Sequence, residues 1–214
     1  AILTGDLLFA RASNLVSGLG QEALQLQAKI FEQLVLGQLH ETIGPIDQED
    51  PVDHYIQVLR DKTGSLIALA AQLGAMLSGA DSSFQKPLEE FGQSIGVAFQ
   101  LIDDIIDIES TESQSGKVSG TDLLAGVPTL PVLLLAKHDD SDSVKLLADI
   151  SLGLDAASLP EVLVRLRKHP VMEESKLETM RWAEAAIAAI APLPKGKVRT
   201  ALEAFALAVV ERKG

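Results

Sequence analysis

The stretch that decides the fold is Phe99–Glu109, "FQLIDDIIDIE", where Asp103, Asp104 and Asp107 stand among Leu101, Ile102, Ile105, Ile106 and Ile108. Strand alternation does not fit this run, but a helix does. Gln100, Asp103, Asp104 and Asp107 fall at i, i+3, i+4 and i+7, so their side chains form one stripe. Every other face of that helix is Leu or Ile, and a helix apolar nearly all round is a buried one. The polar stripe therefore faces a cavity or a ligand. A solvated surface helix would not carry four isoleucines around it.

Ionised carboxylates one turn apart repel one another, and each costs several kcal/mol to bury unpaired. Either their pKa values rise or a cation joins them. Carboxylate oxygens suit a hard ion, Mg²⁺ or Ca²⁺, and Mg²⁺ commonly completes its shell with water and phosphate oxygens. Phosphate in turn calls for lysines. Lys62-Thr63 is expected to open a helix rich in small residues, where free N–H groups favour an anion. Lys117 lies in a polar loop after the acidic helix. Taken alone, each lysine reads first as a surface charge, and "SGK" lacks the longer glycine-spaced cradle of a P-loop.

The rest of the sequence agrees with an all-α chain. Of its 214 residues 47% are hydrophobic but only 4% aromatic, a balance that favours helix over strand. A net charge of −12 argues against a nucleic-acid partner, which needs a basic face. The absence of cysteine excludes disulfides and thiolate sites and agrees with a reducing, cytoplasmic setting. The longest strongly apolar run, Leu66–Leu77, falls short of the ~20 residues that span a bilayer.

Periodicity predicts helices over residues 1–18, 21–42, 52–60, 63–79 and 85–109. Further helices follow from "VPTLPVLLLA" onward and over about 143–153, 158–169, 171–190 and 195–212. A Ser/Gly-rich loop, "ESTESQSGKVSGTD", separates the two groups, and loops of that length are uncommon in compact domains unless functional or disordered. The helix "LIALAAQLGAMLSG" has small side chains that allow close helix packing or a groove for an apolar chain.

"GDLLFARA", "GQLHE", "RDKTGSL", "FGQSIGVAFQLIDDIIDI", "GKVSGTDLLAGVPTLPVLL" and "LPKGKVRTALEAFALAVVERK" resemble, in order and spacing, the trans-type polyprenyl diphosphate synthases over essentially the whole chain. "FQLIDDIID" followed by GKxxGTD is specific to that family, whereas a bare DDxxD is shared with class I terpene cyclases. The resemblance implies one helical-bundle domain over residues 1–214 around a central cavity, and a Mg²⁺-dependent prenyltransferase. Such an enzyme joins isopentenyl diphosphate to an allylic diphosphate and releases diphosphate. By the same resemblance Asp103, Asp104 and Asp107 are metal-binding residues of the second aspartate-rich motif, and Lys62 and Lys117 bind the allylic diphosphate. Thr63 and Gln100 line the reacting groups, and a homodimer is the expected assembly.

Two departures stand out. The family's first aspartate-rich motif, with the residues that hold isopentenyl diphosphate, belongs upstream of "AILTGDLLFARA", so the expectation is a domain truncated at its N-terminus and inactive alone. Val127 stands where many members carry a polar or basic residue. Three other readings compete. A non-catalytic partner subunit of a heteromeric synthase fits the lack of a first motif. A terpene cyclase needs a downstream Asn/Ser/Glu metal triad, which has no match after Lys117. A helical structural protein leaves the acidic stripe unexplained.

Overall fold

A computed structural model of the chain describes residues 2–110 and 119–212. Among the described residues the regular structure is helical, without strands. The elements are α1 (Ile2–Ser17), α2 (Gln21–Ile43), α3 (Pro51–Leu59), a π-turn (Arg60–Gly64), α4 (Ser65–Ser78) and α5 (Gln85–Glu109). Beyond residue 119 come α6 (Thr121–Leu124), α7 (Leu130–Leu135), α8 (Ser141–Ser151), α9 (Leu159–Lys168), α10 (Val171–Ala189) and α11 (Lys197–Val210).

Local chemistry sets most of these ends. Asp50 caps α3, its carboxylate accepting from Val52 N at 2.8 Å, and Pro51 takes the first helical position, where no amide hydrogen is missed. Asp140 caps α8 in the same way. Gly79 ends α4 with φ +73°, a left-handed conformation that glycine adopts without a Cβ penalty. Pro131 sits in the first turn of α7, as its sequence position predicts.

One expectation is corrected. Lys62-Thr63 does not open a helix, because α3 runs through the π-turn into α4 without a break. Gly64 keeps right-handed helical angles, φ −57° and ψ −41°, so nothing interrupts the backbone. The amide of Ser65 donates to the Arg60 carbonyl, a bond within the continuous helix. No free helix N-terminus is available to an anion at Lys62. The wide turn is a signal in its own right, since π-bulges concentrate at functional positions.

α5 is the axis of the molecule and packs most extensively on α10 and α4. Phe91, Ile95, Ala98, Ile102, Ile105 and Ile108 on α5 are buried in the main core. The α4–α5 crossing is unusually close. A Cβ on Gly92 would lie 2.3 Å from Ala68 Cα, and one on Gly96 would lie 2.4 Å from Gly64 Cα. Glycine is required at both positions because backbone meets backbone there. By contrast α1 buries no side chain, and Ile2, Leu3, Leu7 and Leu8 are all more than 60% exposed. No helix among the described residues is long and apolar enough to cross a membrane.

Candidate active site

The C-terminal half of α5 carries the acidic residues, but they do not share one environment. Successive helical residues diverge by about 100°, so Asp103 and Asp104 leave the axis on either side of Asp107. Asp104 is turned inward and is only 5% exposed. Its Oδ2 accepts from the Tyr55 hydroxyl at 2.7 Å and from Leu130 N at 3.4 Å, tying α5 to α3 and α7. Asp103 points the other way, half-exposed, and pairs with Arg212 just beyond α11. The Arg212 guanidinium also lies over the Phe99 ring, 4.4 Å from its centroid.

Asp107 is held from the far side of the polar loop. Its Oδ1 accepts from the Thr121 hydroxyl at 2.8 Å and from Thr121 N at 3.2 Å, and its Oδ2 accepts from Asp122 N at 3.2 Å. Its backbone carbonyl accepts from Gly120 N at 2.8 Å. The start of α6 is thus folded back onto α5, bringing a fourth acid, Asp122, into the group. Burial, reinforced by the charge of Asp107, raises the Asp122 carboxyl above its ordinary value.

Burial pushes the Asp104 carboxyl up to about 7, against the Tyr55 and Leu130 hydrogen bonds that hold it down, with the charges of Asp122 and Asp107 adding to the rise. Burial and the Asp104 charge drive the Tyr55 phenol upward, so it remains a protonated donor. Asp104 thus keeps its proton in the fold at pH values where the unfolded chain has lost it. The stability this contributes is complete below about pH 4 and is lost as pH rises towards 7. Tyr55→Phe removes the donor that supports the ionised form. It is expected to cost about 2 kcal/mol at pH 8 and less at pH 5. Urea unfolding at the two pH values checks this, and an equal cost at both would uncouple the pair.

Lys62, in the π-turn, contacts the Glu41 carboxylate at 2.5 Å, with its side chain 30% exposed. An ion pair this open contributes at most about 1 kcal/mol, so phosphate could displace it at little cost. Thr63 and Gln100 are half-buried. Lys117 lies outside the described residues. Beneath Lys62, Asp61 is 6% exposed and accepts from Gln33 Nε2 at 2.8 Å and Gln57 Nε2 at 3.0 Å, joining α2 and α3 to the π-turn.

A hollow of about 740 Å³ runs beside α5 over Ile102 and Ile106, with Glu109, Lys176 and Arg212 at its rim. It meets the acidic residues only through Arg212, which closes over Asp103. Among the described residues no three acids or histidines converge tightly enough to hold an ion by themselves. The donor set nevertheless fits Mg²⁺, which draws only one or two carboxylates from protein. Asp103 already attracts a cation in Arg212, and Asp107 stands one turn from it. Asp104 fits less well, since it is only 5% exposed and faces Tyr55 and Leu130 rather than an open space.

Sequence reasoning missed Tyr55, Arg212 and Arg167. Tyr55 is the chain's single tyrosine, and its partner lies 49 positions away. Arg167 donates from Nε to the Ile108 carbonyl at 2.7 Å and from Nη2 to the Ser110 carbonyl at 2.9 Å. It thereby satisfies the open C-terminal end of α5, where a cation also complements the helix dipole. Arg167→Ala is expected to cost about 2 kcal/mol and to raise amide exchange first over residues 105–110. Hydrogen exchange unchanged there would remove Arg167 from this role.

The family described as polyprenyl synthetase has a sequence model that matches residues 1–161. A nonaprenyl diphosphate synthase of Mycobacterium tuberculosis is 42% identical over 100% of this chain and 64% of its own length. A dimethylallyltranstransferase of the same organism is 37% identical over 94% of this chain and 61% of its own. The chain therefore spans less than two thirds of these curated relatives. Among solved structures, a geranylgeranyl pyrophosphate synthase from Corynebacterium glutamicum, complexed with calcium and isoprenyl diphosphate, superposes with a TM-score of 0.89. It is 40% identical and covers 100% of this chain and 67% of that one.

Proposed function

Because the chain belongs to the polyprenyl synthetase family, we propose that it serves in Mg²⁺-dependent prenyl transfer, joining isopentenyl diphosphate to an allylic diphosphate with release of diphosphate. The observation that carries this reading is the division of labour on α5. Asp103 and Asp107 stand one turn apart on the partly exposed side of the helix, against Arg212 and Thr121, while the buried Asp104 fastens the helix from within.

In this reading Asp103 and Asp107 hold the metal, and Asp104 keeps α5 in register with α3 and α7. The ion supplies positive charge to the diphosphate oxygens as the allylic C–O bond breaks. Lys62 releases Glu41 and takes a phosphate oxygen, neutralising the departing diphosphate. Lys117, assigned from its sequence motif, acts beside it. Gln100 and Thr63 border the reacting carbons.

Residues 1–214 act as a single helical domain. They associate as a homodimer through the exposed apolar faces of α1 and α2, where Leu3, Leu7, Leu8 and Leu36 have no cover among the described residues. The absence of cysteine supports a cytoplasmic setting.

The test is an assay with Mg²⁺, isopentenyl diphosphate and farnesyl diphosphate on the complete reading frame that contains the chain. A lengthened prenyl diphosphate is the expected product. No product from any allylic primer would instead favour a partner subunit without catalysis of its own.

A further inference from the structure

A second hollow lies at the other end of the molecule, with a volume of about 600 Å³. That is within the ~300–1,000 Å³ usual for small-ligand pockets. α4 supplies one wall through Ala70, Gly74 and Ala75, and another comes from Phe84, just before α5, and Leu88, near the start of α5. The helix rise places Leu88 roughly 22 Å along α5 from Asp103, so this groove is separate from the acidic residues. Its space is real at the level of single atoms, because a Cβ on Gly74 would meet nothing within 4 Å.

The rim of the groove is basic on a chain whose net charge is −12. Lys195, Lys197 and Arg199 fall within five positions, and the first turn of α11 carries no acid. Arg199 is engaged with Glu203 and the Ala191 carbonyl. Lys195 and Lys197 are exposed and have no carboxylate partner among the described residues. An apolar trough ending at two open cations complements one kind of molecule: an apolar chain with an anionic head.

We infer that this groove binds a single-chain anionic amphiphile, its chain along Gly74 and Phe84 and its phosphate or carboxylate head on Lys195 and Lys197. A free amphiphile is favoured over an anionic bilayer because the overall charge repels an extended negative surface, whereas a single head group meets only the local lysines. The inference goes beyond the prenyl-transfer reading and stands without it.

The test is calorimetric titration of the chain with dodecyl phosphate below its critical micelle concentration, in Mg²⁺-free buffer. One saturable site is expected. Its affinity should fall at least tenfold in Lys195→Glu/Lys197→Glu, and equally in Gly74→Leu, whose Cβ meets nothing within 4 Å and whose side chain enters the trough. Asp103→Ala should leave it unchanged. No saturable binding overturns the inference. So does equal binding by the lysine variant, loss of binding in Asp103→Ala, or binding confined to vesicles containing anionic phospholipid. Circular dichroism confirms that each variant is folded before it is titrated.

Discussion

Asp103→Ala, made in the complete reading frame, is expected to lower prenyl transfer roughly 100- to 1,000-fold, the range seen when one stabilising group is removed from developing charge. The fold should survive, because the Asp103 side chain is 42% exposed and its ion partner among the described residues, Arg212, lies beyond α11. Raising Mg²⁺ should not restore the rate, since the lost group is a ligand rather than a weak screening charge. Mn²⁺ binding followed by electron paramagnetic resonance gives a readout independent of turnover, and it should weaken in the same variant. Unchanged turnover at saturating Mg²⁺ would take Asp103 out of the chemistry. The neighbouring Asp104→Asn should behave differently, altering the pH dependence of stability before anything else, because that side chain faces Tyr55.

Gly92→Ala is expected to be the most damaging glycine-to-alanine change among the described residues. Its Cβ would fall 2.3 Å from Ala68 Cα and 2.4 Å from Ala68 N, and both are backbone atoms that no rotamer change can move aside. α4 and α5 would have to separate, loosening the packing around Ile95 and Ala98. The cost should be about 3 kcal/mol, the upper end for overpacking a close-packed interior. Gly74→Ala is the matched control on α4. It meets open space at ordinary helical angles, so it should stabilise by about 0.5–1 kcal/mol. Urea unfolding of the two variants compares them directly. A Gly92→Ala variant that unfolds like the parent would show that the crossing is not as tight as described.

Much of the helical layout was legible in sequence because its causes are local. The span 85–109 of α5 follows from a single run of periodic apolar residues, and α1 and α2 separate at the Gly18–Gly20 break. Caps at Asp50 and Asp140 and the proline in α7 depend on neighbours within a few positions. The break expected before Thr63 failed for the same reason. "RDKTGS" looks like a boundary, yet packing across Gly64 and Gly96 keeps the helix running through it.

The site divides along the same line. By itself the sequence determined that Gln100, Asp103, Asp104 and Asp107 recur at helical spacing within an apolar segment, since i, i+3, i+4 periodicity is a property of one chain segment. Only the tertiary structure decided which of those acids faces inward. Tyr55 reaches Asp104 from 49 positions upstream, Leu130 N from 26 downstream, and Thr121 closes on Asp107 across the polar loop. A carboxylate's direction is set by the donors that surround it, and those donors arrive from elements distant in sequence.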